Sequence, residues 1–129
     1  MAFPRKGEIY LVNFDPTIGH EVEKKRPALI LSNNIHNCYS PLVTVAPLSS
    51  NVAKIYPFDV CILKNEANLN FNSKIMIIQL RSIDKERLIK KIGAVTNTRI
   101  LNEISEIIRE HFDLKTVRKE ISEQYAADD

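Results

Sequence analysis

Several features that would point to a function class at once are missing from this chain. It has only two cysteines, Cys38 and Cys61, without the spacing of a metal site or a redox pair. They read as reduced, inert thiols, which suits a cytoplasmic location. No apolar run approaches the roughly 20 residues needed to span a bilayer. The opening Met-Ala-Phe-Pro-Arg-Lys-Gly has no apolar core of a secretory signal, so none is expected. Charge of one sign is scarce too. With 18 basic and 16 acidic residues the formal net charge is +2, so a phosphate-binding face would have to come from a local patch. Internal repeats and low-complexity stretches are also absent.

What is present fits one domain with one core. The 129 residues are 44% hydrophobic and 26% charged, the balance of a globular protein rather than a disordered one. The first two thirds read as short strands parted by turn signals. Residues 8–14 are rich in Ile, Tyr, Val and Phe and end at Asp15-Pro16. A polar segment with Gly19 as its flexible point leads into 27–33, whose Ala-Leu-Ile-Leu suggests a strand buried on both faces. Further strands are expected at 42–47, 58–63, 74–79 and about 89–95. Such spacing, with no long helices between, favours a compact antiparallel sheet or small barrel.

The last third changes period. Ile100, Leu101, Ile104, Ile107, Ile108 and Phe112 recur at helical spacing, with Thr96 or Asn97 available as the cap. A weaker stripe follows at Leu114, Val117, Ile121 and Tyr125, too narrow to stand alone in water. The expected division is a domain over 1–112 and a helical extension of that domain over 113–129.

The most informative segment is Lys24-Lys25-Arg26-Pro27, where a flexible loop enters a buried strand. Pro27 biases Arg26 toward extended backbone and so helps aim its guanidinium. A planar fork of always-charged donors grips phosphate well; a solvated basic turn is the plain alternative. Ser49 and Ser50 end another strand, where a hydroxyl could meet a phosphate or close a local turn. His20 could move protons near neutral pH or simply face solvent. In Gln79-Leu80-Arg81-Ser82-Ile83-Asp84, Arg81 could pair with Asp84 or join a basic groove, and Asp84 could cap Lys85-Glu86-Arg87.

Taken together, the blocks resemble the MazF/PemK family of toxin endoribonucleases. They are Gly7-Glu8-Ile9-Tyr10-Leu11-Val12, Asp15-Pro16-Thr17-Ile18-Gly19-His20-Glu21, Arg26-Pro27-Ala28-Leu29-Ile30-Leu31, Val45-Ala46-Pro47-Leu48-Ser49-Ser50 and Gln79-Leu80-Arg81-Ser82-Ile83-Asp84. They occur in family order from about Arg5 to Phe112. The resemblance implies an α+β, mainly β fold: a small, curved antiparallel sheet of SH3-like barrel type with a C-terminal helix, as in MazF and CcdB. It also implies a homodimer, metal-independent cleavage of single-stranded RNA at short sequences, no cofactor, and control by a cognate MazE-like antitoxin.

By position, Arg26 matches the family's catalytic arginine, and Ser49 stands where members usually carry a catalytic threonine. Ser50 would substitute if the loop shifts by one residue. His20 and Glu21 match a loop pair that some members use at the active site, and His20 is the preferred proton carrier. Lys24, Lys25, Lys54, Gln79 and Arg81 are the remaining expected RNA contacts. One departure is clear. Some members carry an arginine and an acid on the strand leading to Gln79, where this chain has Met76 and Ile78. A mechanism with a strand carboxylate as general base therefore cannot be carried over. The rival readings are a CcdB-like DNA gyrase poison of the same fold and an SH3-like binding module without catalysis.

Overall fold

The computed structural model describes residues 2–16, 18–21 and 24–114. Their elements run β1 (Glu8–Asn13), β2 (Lys25–Ile30), α1 (Asn34–Tyr39), β3 (Leu42–Ser49), β4 (Asp59–Ile62), β5 (Ser73–Met76), β6 (Arg81–Asp84), β7 (Leu88–Ala94) and α2 (Thr98–His111). The strands form one antiparallel sheet in the order β4-β5-β3-β2-β1-β7, with β6 also paired to β3.

The apolar run expected at 27–33 lies at the centre of this sheet, shifted toward the N-terminus as β2. Its alternate residues point to opposite faces, and both faces are covered. Leu29 joins Ile9, Ala46, Leu48, Val60, Ile75 and Ile77 in one core, while Ala28 and Ile30 join Val12, Phe14, Val43, Val45 and Ile83 in another. The first core is closed by α2, whose Ile100 and Ile104 are buried one turn apart. Burying each such side chain stabilises by about 1.5–3 kcal/mol. Asn97, one of the two expected caps, starts α2 by accepting the Arg99 N–H at 2.9 Å.

Strand β3 is long enough to serve two partners along one edge. Its Leu42–Val45 half pairs with β6 and its Leu48–Ser49 end pairs with β5. That division corrects the single strand expected over 74–79. A 3-10 turn at Ile77–Gln79 breaks the extended run, so the chain steps from β5 to β6 without leaving the edge of β3. The sequence reading also missed α1. Six residues give too short a period to read, and α1 is held by tertiary bonds instead. Asn33 caps it by accepting the His36 N–H, and the buried Asn37 side chain exchanges hydrogen bonds with Ser32. The stripe expected beyond Leu114 lies outside the described residues.

Both cysteines are free. Among the described residues no helix is long and apolar enough to cross a membrane, and no three His, Cys, Asp or Glu side chains converge as metal ligands.

Candidate functional site

Arg26 sits in β2 with its Cα opposite buried Val12 of β1, so its backbone is fixed by a ladder. The β2–β3 register pairs Ala28 with Pro47. Continued two residues, it sets Arg26 opposite Ser49. Facing residues of an antiparallel pair share one side of the sheet. Ser49 is in turn opposite Lys74 of β5. Two residues 23 positions apart in sequence thus become neighbours through strand register alone.

Arg26, Ser49 and Ser50 line a groove of about 800 Å³. Its other walls are the Asn68–Phe71 segment and Lys90, Lys91 and Ile92 of β7. No carboxylate of the described residues lines it, while Arg26, Lys90 and Lys91 do; the Lys91 ammonium is held 2.6 Å from Glu8. The Ser49 hydroxyl oxygen accepts the Asn51 N–H at 3.2 Å, which leaves its own proton to donate outward.

The Asn68–Phe71 wall owes its place to Gly93. A Cβ on Gly93 would lie 2.0 Å from the Ala67 carbonyl oxygen, a contact only glycine permits. The Asn68 side chain then donates to the Ile92 carbonyl at 3.0 Å, covering the β7 edge.

The other expected residues gather elsewhere. His20, Glu21, Gln79 and Arg81 line a second cleft of about 470 Å³, together with Phe14, Pro47 and Ile78. The two cavities share no lining residue, though each takes part of its wall from β3, Pro47 in this cleft and Leu48 and Ser49 in the Arg26 groove. Glu21 is occupied there. One carboxylate oxygen accepts the Ile18 N–H at 3.0 Å, and the other lies 4.0 Å from the Arg81 guanidinium. Arg81 therefore pairs with Glu21 and not with Asp84, and its guanidinium lies 5.8 Å from the Phe14 ring centroid. Asp84 instead caps the turn after β6 by accepting the Glu86 N–H at 2.8 Å. Ile78 is 42% exposed at the cleft, an apolar surface at the position of the missing acid.

Lys24 and Lys25 are exposed at the loop's exit. Lys24 takes a left-handed backbone (φ 68°), fixed by its N–H bond to Asp15 and by its carbonyl accepting the Phe14 N–H. Lys54 lies on the segment after Ser50, hydrogen-bonded to Tyr56, which raises its pKa above the ordinary lysine value. Sequence reasoning overlooked Phe71, Lys90, Lys91 and the buried pair of Lys74 and Asp59. An aromatic residue inside the Asn-rich stretch 68–72 was the one available hint; the others depend on register.

The PemK-like, MazF-like toxins of type II toxin–antitoxin systems match this chain over residues 5–112. The chain is 37% identical over 115 residues to endoribonuclease MazF9 of Mycobacterium tuberculosis, covering 85% of this chain and 97% of that protein. It is 35% identical over 116 residues to endoribonuclease MazF of Staphylococcus saprophyticus, covering 88% and 95%. Among solved structures, MazF from Deinococcus radiodurans superposes with a TM-score of 0.76 at 28% identity, covering 88% of this chain and 100% of that one. The Mycobacterium tuberculosis toxin MazF-mt6 gives 0.70 at 25% identity, covering 84% and 98%.

Proposed function

Because the chain belongs to the PemK-like, MazF-like toxins of type II toxin–antitoxin systems, we propose that its toxic activity is RNA cleavage centred on Arg26. The protein is a toxin endoribonuclease, and the gyrase-poison reading is not favoured. The observation that supports the siting is that Arg26, Ser49 and Ser50 line one groove together with Lys90, with no described carboxylate in its wall.

RNA brings its own nucleophile, so the site needs no metal to make one. The 2′-oxygen attacks phosphorus while the bond to the 5′-oxygen breaks. The 2′-hydroxyl proton passes to His20 in this reading, and water supplies one to the leaving 5′-oxygen. Negative charge grows on the phosphoryl oxygens, and groups already aimed at them lower the barrier. The Arg26 guanidinium donates two N–H bonds there, and the Ser49 hydroxyl donates a third; Ser50 stands next in line. The products are a 2′,3′-cyclic phosphate and a 5′-hydroxyl.

His20 is the proton carrier in this reading. It lines the second cleft, with Glu21 and Arg81, rather than the Arg26 groove. Ile78 offers no carboxylate and Glu21 is held by its loop and Arg81, which supports the assignment. Lys24, Lys25, Lys54, Gln79, Arg81 and Glu21 contact the flanking single strand. The working protein is a cytoplasmic homodimer, held in check by an acidic, partly disordered antitoxin segment that folds over the groove.

The test is incubation with a long mixed-sequence RNA in EDTA, followed by mapping of cut sites and end groups. Cuts at one short sequence with cyclic-phosphate and 5′-hydroxyl ends are expected. Intact RNA after exposure to folded protein would overturn the reading.

A further inference from the structure

Residues 51–58 join β3 to β4 without a ladder of their own, yet they are tied at both ends and in the middle. At the start, Ser49 Oγ accepts the Asn51 N–H, and Asn51 Oδ1 accepts the Ala53 N–H at 3.3 Å. At the end, the Asp59 carboxylate accepts the Tyr56 N–H and the Asp59 N–H donates to the Tyr56 carbonyl, each at 2.9 Å. The middle is held by Lys74, whose ammonium donates to the Lys54 carbonyl and lies 4.0 Å from Asp59 Oδ2.

Asp59 and Lys74 are both buried, with side chains 3% and 9% exposed. A buried ion pair is a poor way to gain stability, because desolvation offsets most of the attraction and apolar replacements often serve as well. This pair does something an apolar pair cannot: it grips a loop carbonyl and a loop N–H at once. The segment it fixes presents a cation beside stacked rings. Lys54 Nζ lies 5.2 Å from the Tyr56 ring centroid, and Tyr56 stacks on Phe58 at 5.1 Å and 8°. A fixed cation next to aromatic faces is the chemistry that holds a single-stranded nucleic acid.

We propose that Asp59 and Lys74 are positioning residues that hold 51–58 as a rigid arm beside Ser49, whose Lys54 and Tyr56 bind the RNA strand next to the cut. The inference rests on the endoribonuclease reading. Lys54 takes a flanking phosphate and Tyr56 a flanking base. Ser49 itself is held by its backbone pairing with β5, which the side-chain pair does not supply. The arm therefore acts on binding of the strand and leaves the chemical step alone.

The double variant Asp59→Asn with Lys74→Met removes both charges, keeps the volume and keeps an acceptor for Tyr56. Steady-state cleavage of a long RNA should show KM raised about tenfold with kcat changed less than about threefold. The exposed variant Lys54→Ala with Tyr56→Ala leaves the core untouched and should give the same split, even if the buried variant fails to fold. Unchanged KM and cut sites in the exposed variant would overturn the proposal, as would a loss confined to antitoxin binding. Arg26→Ala is the control that separates the two readings. If it abolishes cutting while the arm variants behave as wild type, only the arm is wrong; if it cuts normally, the siting of the reaction fails with it.

Discussion

The Glu8 carboxylate lies 2.6 Å from the Lys91 ammonium, tying β1 to β7 at the rim of the Arg26 groove. Partial burial pushes the Glu8 carboxyl up, but the hydrogen bonds from Lys91 and the Arg5 N–H, with both positive charges, outweigh it and hold the carboxyl below its ordinary 4.5. The hydrogen bond and charge of Glu8 hold Lys91 above its ordinary 10.5. Stability from Glu8 is then present above pH 4.5 and lost as pH falls through the lower folded value; that from Lys91 is present below pH 10.5 and lost as pH rises through the higher one. Thermal melts from pH 7 down to 3 should show a steeper loss in wild type than in Glu8→Gln. Parallel curves would contradict the pairing.

Gly93 and the Ala67 carbonyl make a second test, of packing. Gly93→Ala puts a methyl 2.0 Å from a backbone oxygen, so the Asn68–Phe71 wall has to move. Urea unfolding should show a loss of about 1–3 kcal/mol, the usual range for overpacking. Wild-type stability would mean that the wall does not press on β7 as described.

These two contacts also mark where the sequence stops being readable. Local patterns revealed β1, β2, β3, β4, β7 and α2, because each is an apolar or β-branched run or stripe that ends at Pro, Asn or a polar turn. The order of blocks from Gly7 to Asp84 made the fold and the family legible. What no local pattern contains is register. Ser49 comes opposite Lys74, and into one groove with Arg26, only when three strands pair. The Lys74–Asp59 pair reads as two ordinary surface charges until β5 closes on β4. Gly93 looks like a weak point in a strand until Ala67 is seen above it. The break at Ile77–Gln79 escaped because the four apolar residues in a row, Ile75 to Ile78, fit a strand as well as a strand and a turn.

The proton carrier is open to a kinetic test. In the proposed assignment His20 carries the proton, since Ile78 offers no carboxylate and Glu21 is held by its loop and Arg81. His20→Ala should lower kcat by about 10²–10⁴-fold, with KM nearly unchanged and one ionisation gone from the pH–rate profile. A profile identical to wild type would remove His20 from the mechanism.

The central claim is that Arg26 stabilises the charge developing on the scissile phosphate. Single-turnover cleavage of one RNA carrying a mapped cut site measures this most directly. Arg26→Ala should cut slower by about 10²–10³-fold, the usual effect of removing such a donor. Arg26→Lys should recover only part of the rate, because an ammonium keeps the charge and lacks the planar fork. Circular dichroism should be the same for all three proteins. A folded Arg26→Ala variant that cuts at the wild-type rate would contradict the account.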